Sequence, residues 1–424
     1  MLRTAMLPFG RRSRMLRSLV RFELSHLTPE AQLLVLLART SANGTLQVEI
    51  QDRLRDCLDW TLLWRLAREH GVSPLVYRTV LSYGRGAVPS HTIETFRRHV
   101  QSNAILNGLL ADELVALVEA FATKGIRVIP FNGPILALTA YGDISLRECP
   151  DLGFIVGLSS VPQARQLLWS RGYQLVSQSH AHGDEGQQPF HSFVKNKGMF
   201  RVDLQSAMGH RRFELDPDRE QIWNQLKPMR FGERTIMALG PEELLILLCM
   251  HGSKHAWEDL KWICDVAELV RRRRAMDWSR ILFLSHKRGC RRLLLMGLAT
   301  AHTLLDTPLP RSMQDAILAD PDIGDLAKRM PRRLLRTEQE GVGEADAEAF
   351  HLTLKDSWVG QWTYALALCR AEVPLAVTSP PWFRFQGRLT LLYQLCHPFY
   401  RVADWCARFF RSKKALGKRL EIPG

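Results

Sequence analysis

The fold of this chain is decided by the stretch FNGP at residues 131–134 and by PDLGFIV at residues 150–156. The first stretch predicts a glycine turn that opens a short helix, and the second predicts a carboxylate at the start of an apolar strand. Because side chains alternate between the two faces of a strand, carboxylates one residue apart would share a face. Here Asp151 occupies the first of those positions and Gly153 the second. The pattern therefore predicts an α/β unit with a single carboxylate at this edge.

Strand and helix periodicities alternate over roughly residues 126–207. The predicted strands cover 126–131, 152–156 and 173–177, with a hairpin of 192–195 and 200–204 around Asn196-Lys197-Gly198. The predicted helices cover 134–141 and 161–171. This alternation indicates a small mixed-sheet core.

Helical patterns lie on both sides of that core. A long helix from about 93 to 124 precedes it, and Pro241-Glu242-Glu243 opens a helical region that includes a predicted helix over 278–305. The fold class is thus α+β or α/β, with a core flanked by N-terminal and C-terminal helical regions. The predicted divisions are a basic, frayed extension at 1–24, helices at 25–121, the core at 122–240, helices packing on it at 241–307, and a helical or irregular region at 308–424.

The chain is strongly basic, with a formal net charge of +14 over 424 residues. Such a charge favours polyanionic partners, namely nucleotides, nucleic acid or an anionic membrane surface. The basic, aromatic tail from residue 390 is open to three interpretations: a peripheral membrane contact, a nucleic-acid contact or a packed helix. The eight cysteines form no C-x-x-C pair, and the apolar runs are too short to cross a bilayer. We expect a cytoplasmic protein with reduced thiols.

Three features near the glycine turn could bind a metal ion or a phosphate group. Asp203 lies on a later predicted strand, where its carboxylate can join Asp151, and paired carboxylates suit Mg²⁺. Backbone amides after Gly133 open a helix and can bind phosphate. Arg147 either contacts a phosphate or braces the start of the strand.

Four blocks of the sequence resemble the uncharacterised bacterial nucleotidyltransferases related to the polymerase-β superfamily. They are residues 58–60 with 67–75, residues 125–133, residues 141–156, and residues 200–205 joined to 241–270. The resemblance implies a nucleotidyltransferase-like core that moves a nucleotidyl group from an NTP to an acceptor. The acceptor stays open: a small molecule, a saccharide, a peptide or a protein. The implied site has Asp151 and Asp203 as catalytic residues and Mg²⁺ ligands, with the nucleotide bound by Asn132, Gly133, Arg147 and Lys254.

Three departures from the family pattern put turnover in doubt. The family has Lys where this chain has Asn132, Asp-x-Asp where it has Asp151-Leu152-Gly153, and Asp-Leu-His where it has Asp203-Leu204-Gln205. The alternative is therefore a catalytically degenerate domain that binds a nucleotide or a partner in a biosynthetic pathway. A nucleic-acid-binding protein is a third interpretation, supported only by the net charge.

His251 and His255 stand four residues apart and so share a helix face. A zinc site would need the central Glu of H-E-x-x-H and a third ligand, which the sequence does not supply. We expect instead that these histidines pack with Trp257, Trp262 and Asp265 in a helical layer against the α/β core.

Overall fold

The computed structural model describes residues 9–84, 86–178, 190–206, 222–335, 344–356 and 361. The chain divides into two compact units, residues 1–342 and residues 343–424. In the second unit the described element is a helix, Glu344–Thr353. All other elements named below belong to the first unit.

Six helices precede the sheet. They are α1 (Phe9–Ser25), α2 (Pro29–Leu37), α3 (Gly44–Arg53), α4 (Trp60–Glu69), α5 (Ser73–Tyr83) and α6 (Ser90–Thr123). Side-chain oxygens of Thr28, Asn43 and Asp59 accept hydrogen bonds from the first-turn amides of α2, α3 and α4, which fixes where these helices begin. The long predicted helix before the core is confirmed as α6, and Gly125 follows it with φ +69°.

From Phe9 onward, where the described residues begin, the basic N-terminal segment is the helix α1. Leu16 and Val20 of α1 are buried, at 6% and 0% exposure. Arg17 donates from Nε to Nε2 of His302 at 3.1 Å and pairs with Asp306 at 3.4 Å. Residues 9–24 therefore pack on the protein, which differs from the frayed extension expected there, because apolar residues between the arginines give the helix a buried face.

A five-stranded mixed sheet forms the centre of the first unit. Its strands are β1 (Val128–Pro130), β2 (Leu152–Val156), β3 (Gln174–Gln178), β4 (Phe190–Lys195) and β5 (Phe200–Gln205), in the order β1-β2-β5-β4-β3. The β2–β5 pairing is parallel and the other three are antiparallel. Helices α7 (Pro134–Tyr141) and α8 (Val161–Ser170) follow β1 and β2. The mixed-sheet core predicted from the sequence is confirmed.

One face of this sheet packs on α6. Leu114, Leu117 and Phe121 of the helix are buried in the same cluster as Phe154 and Leu204 of the strands. The rings of Phe121 and Phe154 lie 5.7 Å apart between centroids. A separate hairpin of β6 (Lys227–Phe231) and β7 (Arg234–Ala238), which the sequence did not predict, adds Phe231 and Ile236 to this core.

Among the described residues of the first unit, six helices follow the hairpin. They are α9 (Pro241–Lys254), α10 (Leu260–Arg272), α11 (Trp278–Lys287), α12 (Arg291–Leu305), α13 (Arg311–Ala319) and α14 (Pro321–Leu334). The single helix predicted over 278–305 is two helices, because Gly289 takes φ +63° and ends α11. The region from 308, predicted to be partly irregular, contains α13 and α14, whose buried residues recur at helical spacing.

The basic aromatic tail from residue 390 lies outside the described residues. Within the described part of the chain, none of the helices combines the length and the apolar character that crossing a bilayer requires.

Candidate functional site

Asp151 and Asp203 lie side by side at the neighbouring inner strands β2 and β5, and their side chains share a hydrogen bond. Asp151 immediately precedes β2, and Asp203 lies on β5, paired in parallel register with Gly153. Oδ1 of Asp203 accepts hydrogen bonds from Oγ of Ser192 at 2.7 Å and from Nε of Arg201 at 3.3 Å. The parallel pairing brings together two carboxyl groups that are 52 positions apart in the sequence.

The environment of Asp151 strongly favours its protonated form. Burial first, and then the charge and a side-chain hydrogen bond of Asp203, raise the pKa of Asp151 to about 7. The positive charges of Arg147 and Arg201 oppose this rise. Two carboxyl groups in contact repel each other when both are ionised, and a bound cation relieves that repulsion.

The glycine turn lies directly against Asp151. Nδ2 of Asn132 donates to Oδ1 of Asp151 at 3.0 Å. Gly133 takes φ +72°, and a Cβ on it would lie 2.7 Å from the backbone oxygen of Asp151. Only glycine fits at position 133, because both the backbone conformation and the close approach exclude a side chain. This turn opens α7 beside the carboxyl pair, as predicted.

The space that a side chain at position 153 would occupy is filled by other atoms. A Cβ on Gly153 would lie 2.8 Å from Cζ of Phe131 and 2.9 Å from Cβ of Asn132. Phe131 is buried, and its backbone N–H donates to the oxygen of Gly153 at 3.1 Å. The ring of Phe131 therefore occupies the space that a side chain at position 153 would need.

Arg147 forms a buried, two-pronged ion pair with Asp265 of α10. Its Nε donates to Oδ1 at 2.8 Å and its Nη2 to Oδ2 at 3.0 Å, while the hydroxyl of Tyr141 donates to Oδ1 at 2.8 Å. Burial opposes the charge of Arg147, but Asp265 outweighs it and the pKa of Arg147 is raised. Through these contacts Arg147 braces the start of the strand, which is one of the two roles that the sequence left open. They anchor the segment before Asp151 to the helical layer.

Lys254, the last residue of α9, is close to the carboxyl pair. Its Nζ lies 5.5 Å from the ring centroid of Phe190, and the charge of Asp203 opposes the effect of burial, which lowers the pKa of Lys254. The structure thus brings Lys254, Asp203, Asp151, Asn132 and Gly133 to one region.

The two histidines of α9 form an aromatic cluster with Trp262. The rings of His255 and Trp262 stack at 4.6 Å, and those of His251 and His255 lie 4.9 Å apart. Burial and then the neighbouring His255, Lys254 and other cations hold the pKa of His251 well below its ordinary value. The predicted packed layer is present, and no set of three or more His, Cys, Asp or Glu side chains in the described residues is arranged to bind a metal.

The carboxyl pair fits one hard cation. Mg²⁺ commonly takes one or two protein carboxylates and completes its shell with water and substrate phosphates, so a third protein ligand is not required. Two other acids near the strand are committed elsewhere: Asp143 caps the short helix at Ile144–Leu146, and Glu148 bonds to His99 at 3.1 Å.

Three residues that shape the site were not predicted from the sequence to belong to it. Phe131 was assigned only to a strand, Ser192 was not connected with Asp203, and Phe190 was outside the predicted hairpin. The register of β4 against β5, which pairs Ser192 with Asp203, was the available signal for one of them. The packing of Phe131 on Gly153 has no counterpart in sequence spacing.

A search of curated proteins finds no match to this chain. Among solved structures, the chain is similar to an antigenic nucleotidyltransferase-like protein from Paracoccidioides brasiliensis, with 14% identity and a TM-score of 0.30 over 53% of this chain and 92% of that chain. At that TM-score the similarity supports no inference about the site. The sequence profile described as uncharacterised nucleotidyltransferase matches residues 56–306, which is more than half of the chain. The chain belongs to this uncharacterised nucleotidyltransferase family.

Proposed function

We propose that this protein binds a nucleoside triphosphate with Mg²⁺ at the Asp151–Asp203 pair and transfers its nucleotidyl group to an acceptor. Family membership supports the reaction class. The observation that supports this location is the contact between two carboxyl groups, one of which has a pKa raised to about 7. When both carboxyl groups are ionised they repel each other, and a bound divalent cation removes that repulsion.

In this proposal each residue has a defined task. Asp151 and Asp203 hold the cation, which when bound neutralises phosphate charge and lowers the pKa of an attacking hydroxyl. The amides after Gly133 and the ammonium of Lys254 contact the phosphates. Asn132 orients Asp151 through its hydrogen bond, and Arg147 holds the segment before Asp151 in place through Asp265.

Calorimetry on the full-length protein, with Mg²⁺ and each of the four NTPs, tests the nucleotide site. We expect binding that requires Mg²⁺ and that falls at least tenfold in Asp151→Ala. The matched control is Asp52→Ala, which removes a largely exposed carboxylate of α3. NTP binding that is unchanged in Asp151→Ala contradicts the proposal.

The second candidate function is nucleotide binding without transfer. The observation that favours it is the ring of Phe131, which occupies the space that a side chain at position 153 would need. In enzymes generally, losing one group that stabilises charge in the transition state costs about 3 kcal/mol. Release of pyrophosphate from the NTP that binds separates the two candidates, because only transfer produces it.

The activity of Gly153→Asp alone does not show whether the missing carboxylate at position 153 prevents transfer. Its Cβ would lie within 3 Å of Phe131 and Asn132, so the chain must move before the carboxylate can be placed. Pyrophosphate release by the wild-type protein that is abolished in Asp151→Ala supports transfer. NTP binding with no pyrophosphate release, across candidate acceptors of the four classes, supports the binding module.

A further inference from the structure

We propose that this site takes one divalent cation rather than two, and that the ammonium group of Lys254 supplies the second positive charge beside Asp203. The inference rests on the proposed function, since it describes how the same site neutralises phosphate. Three observations carry it: the filled position at Gly153, the anchoring of Phe131, and the place of Lys254.

The first observation concerns space. In a two-cation site the two ions lie about 3.5 to 4 Å apart, so a second carboxylate that bridges both ions is needed. Position 153 lies on β2 opposite Asp203, where that carboxylate would project. Cζ and Cε1 of Phe131 instead lie 2.8 and 2.9 Å from the point that a Cβ would occupy. An apolar ring in this space offers no ligand to a hard cation.

The second observation is that Phe131 is firmly held. Its side chain is 6% exposed, and its backbone donates to the oxygen of Gly153 at 3.1 Å. Two residues later, Gly133 abuts the backbone oxygen of Asp151, so this part of the chain is fixed on both sides. The main chain that carries the ring is therefore fixed, and the ring is buried in the space beside Gly153.

The third observation is the position of Lys254. Its ammonium lies 5.5 Å over the ring of Phe190, and Phe190 pairs with Gln205, two residues beyond Asp203 on β5. Burial lowers the pKa of Lys254, and the negative charge of Asp203 opposes part of that lowering. An ammonium group at this place can face phosphate oxygens as a positive charge, which Asn132 cannot supply because its amide is neutral.

Mn²⁺ titration of the full-length protein, followed by electron paramagnetic resonance, counts the cations. Background sites are measured in Asp151→Asn, and the difference gives the sites that depend on Asp151. We expect a difference of one, without the spin-coupled signal of two nearby ions. A difference of two, or a coupled signal, overturns the one-cation inference while leaving the proposed function intact. A difference of zero overturns both.

Lys254→Met tests the second half of the inference, with inorganic triphosphate plus Mn²⁺ as the probe. We expect triphosphate to bind roughly tenfold more weakly, while Mn²⁺ alone binds roughly threefold more tightly because a repelling charge has gone. The control is Lys287→Met, at an exposed position near the end of α11, with both affinities unchanged. Misfolding would weaken both ligands together, so a parallel loss in Lys254→Met, or no change, overturns the role of Lys254.

Discussion

The amide of Asn132 donates a 3.0 Å hydrogen bond to Oδ1 of Asp151, the carboxyl group whose pKa burial and Asp203 raise to about 7. A neutral donor thus supports the ionised form of Asp151. The hydrogen bond gives less help to the carboxylate than a full positive charge would.

Asn132→Ala removes the donor and makes Asp151 harder to ionise. A proton and a divalent cation compete for the same carboxyl group, so we expect Mn²⁺ affinity at pH 7 to fall roughly three- to tenfold, which corresponds to the net worth of one ordinary hydrogen bond, about 0.7 to 1.4 kcal/mol. The difference should narrow above pH 8, where Asp151 is ionised in both proteins. Calorimetric titration across pH 6 to 9 measures this, and a loss that is constant with pH would contradict it.

Asp151→Asn should stabilise the cation-free protein at high pH. The pKa of Asp151 rises from an ordinary 3.8 in the unfolded chain to about 7 in the fold. The folded state therefore holds a proton that the unfolded state releases, and stability declines as pH rises from about 4 to about 7. The shift corresponds to at most about 4 kcal/mol, and we expect roughly 1 to 3 kcal/mol after solvent screening.

The measurement for Asp151→Asn is urea unfolding in EDTA at pH 4, 6 and 8. At pH 8 the variant should be more stable than the wild type, and the difference should diminish towards pH 4. A variant that is less stable than the wild type at pH 8 would show that the ionised carboxylate of Asp151 does not destabilise the cation-free fold.

Gly153→Ala should destabilise the protein by about 1 to 3 kcal/mol, the usual cost of overpacking a filled core. The new methyl group would lie 2.8 Å from the ring of Phe131. Gly108→Ala is the matched control, because a Cβ on this α6 residue meets nothing within 4 Å and alanine favours the helix. Thermal unfolding of both variants decides it, and equal midpoints would argue against the tight fit at position 153.

Arg147→Met should cost about 3 to 5 kcal/mol, because it leaves Asp265 as a buried charge with no counter-ion. Arg55→Met, which removes the exposed partner of Asp52, should leave the urea midpoint unchanged. In the double variant Arg147→Met/Asp265→Leu part of the loss should return, since no charge is then stranded. If the double variant is as unstable as the sum of both single variants, the pair is not coupled in the way its geometry indicates.

Local patterns were sufficient to predict the elements that carry the site. The helix at Pro134–Tyr141 and the strand at Leu152–Val156 have the predicted bounds, because proline, glycine and an apolar run mark their ends. The hairpin turn at Asn196-Lys197-Gly198 is confirmed, with all three residues at positive φ. The strands β6 and β7 were missed because most of their side chains are exposed and they show little alternation.

Long-range relationships could not be predicted. Arg147 and Asp265 are 118 residues apart, and nothing in their spacing indicates a shared ion pair. The occupation of the Gly153 space by Phe131 depends on how β1 lies against β2, which the sequence alone does not specify. The break at Gly289 was visible as a glycine within a helical pattern, but a single glycine is too weak a signal against continuous apolar periodicity.

The ion pair between Arg147 and Asp265 also bears on how the protein can be divided for experiments. A fragment ending near residue 240 would keep the whole sheet and both site carboxylates, yet it would lack α10 and hence Asp265. The guanidinium of Arg147 and the hydroxyl of Tyr141 would then face solvent at the base of the segment that delivers Asp151. The part of this chain that contains the sheet therefore depends on α10, and a fragment made for experiments should extend beyond that helix.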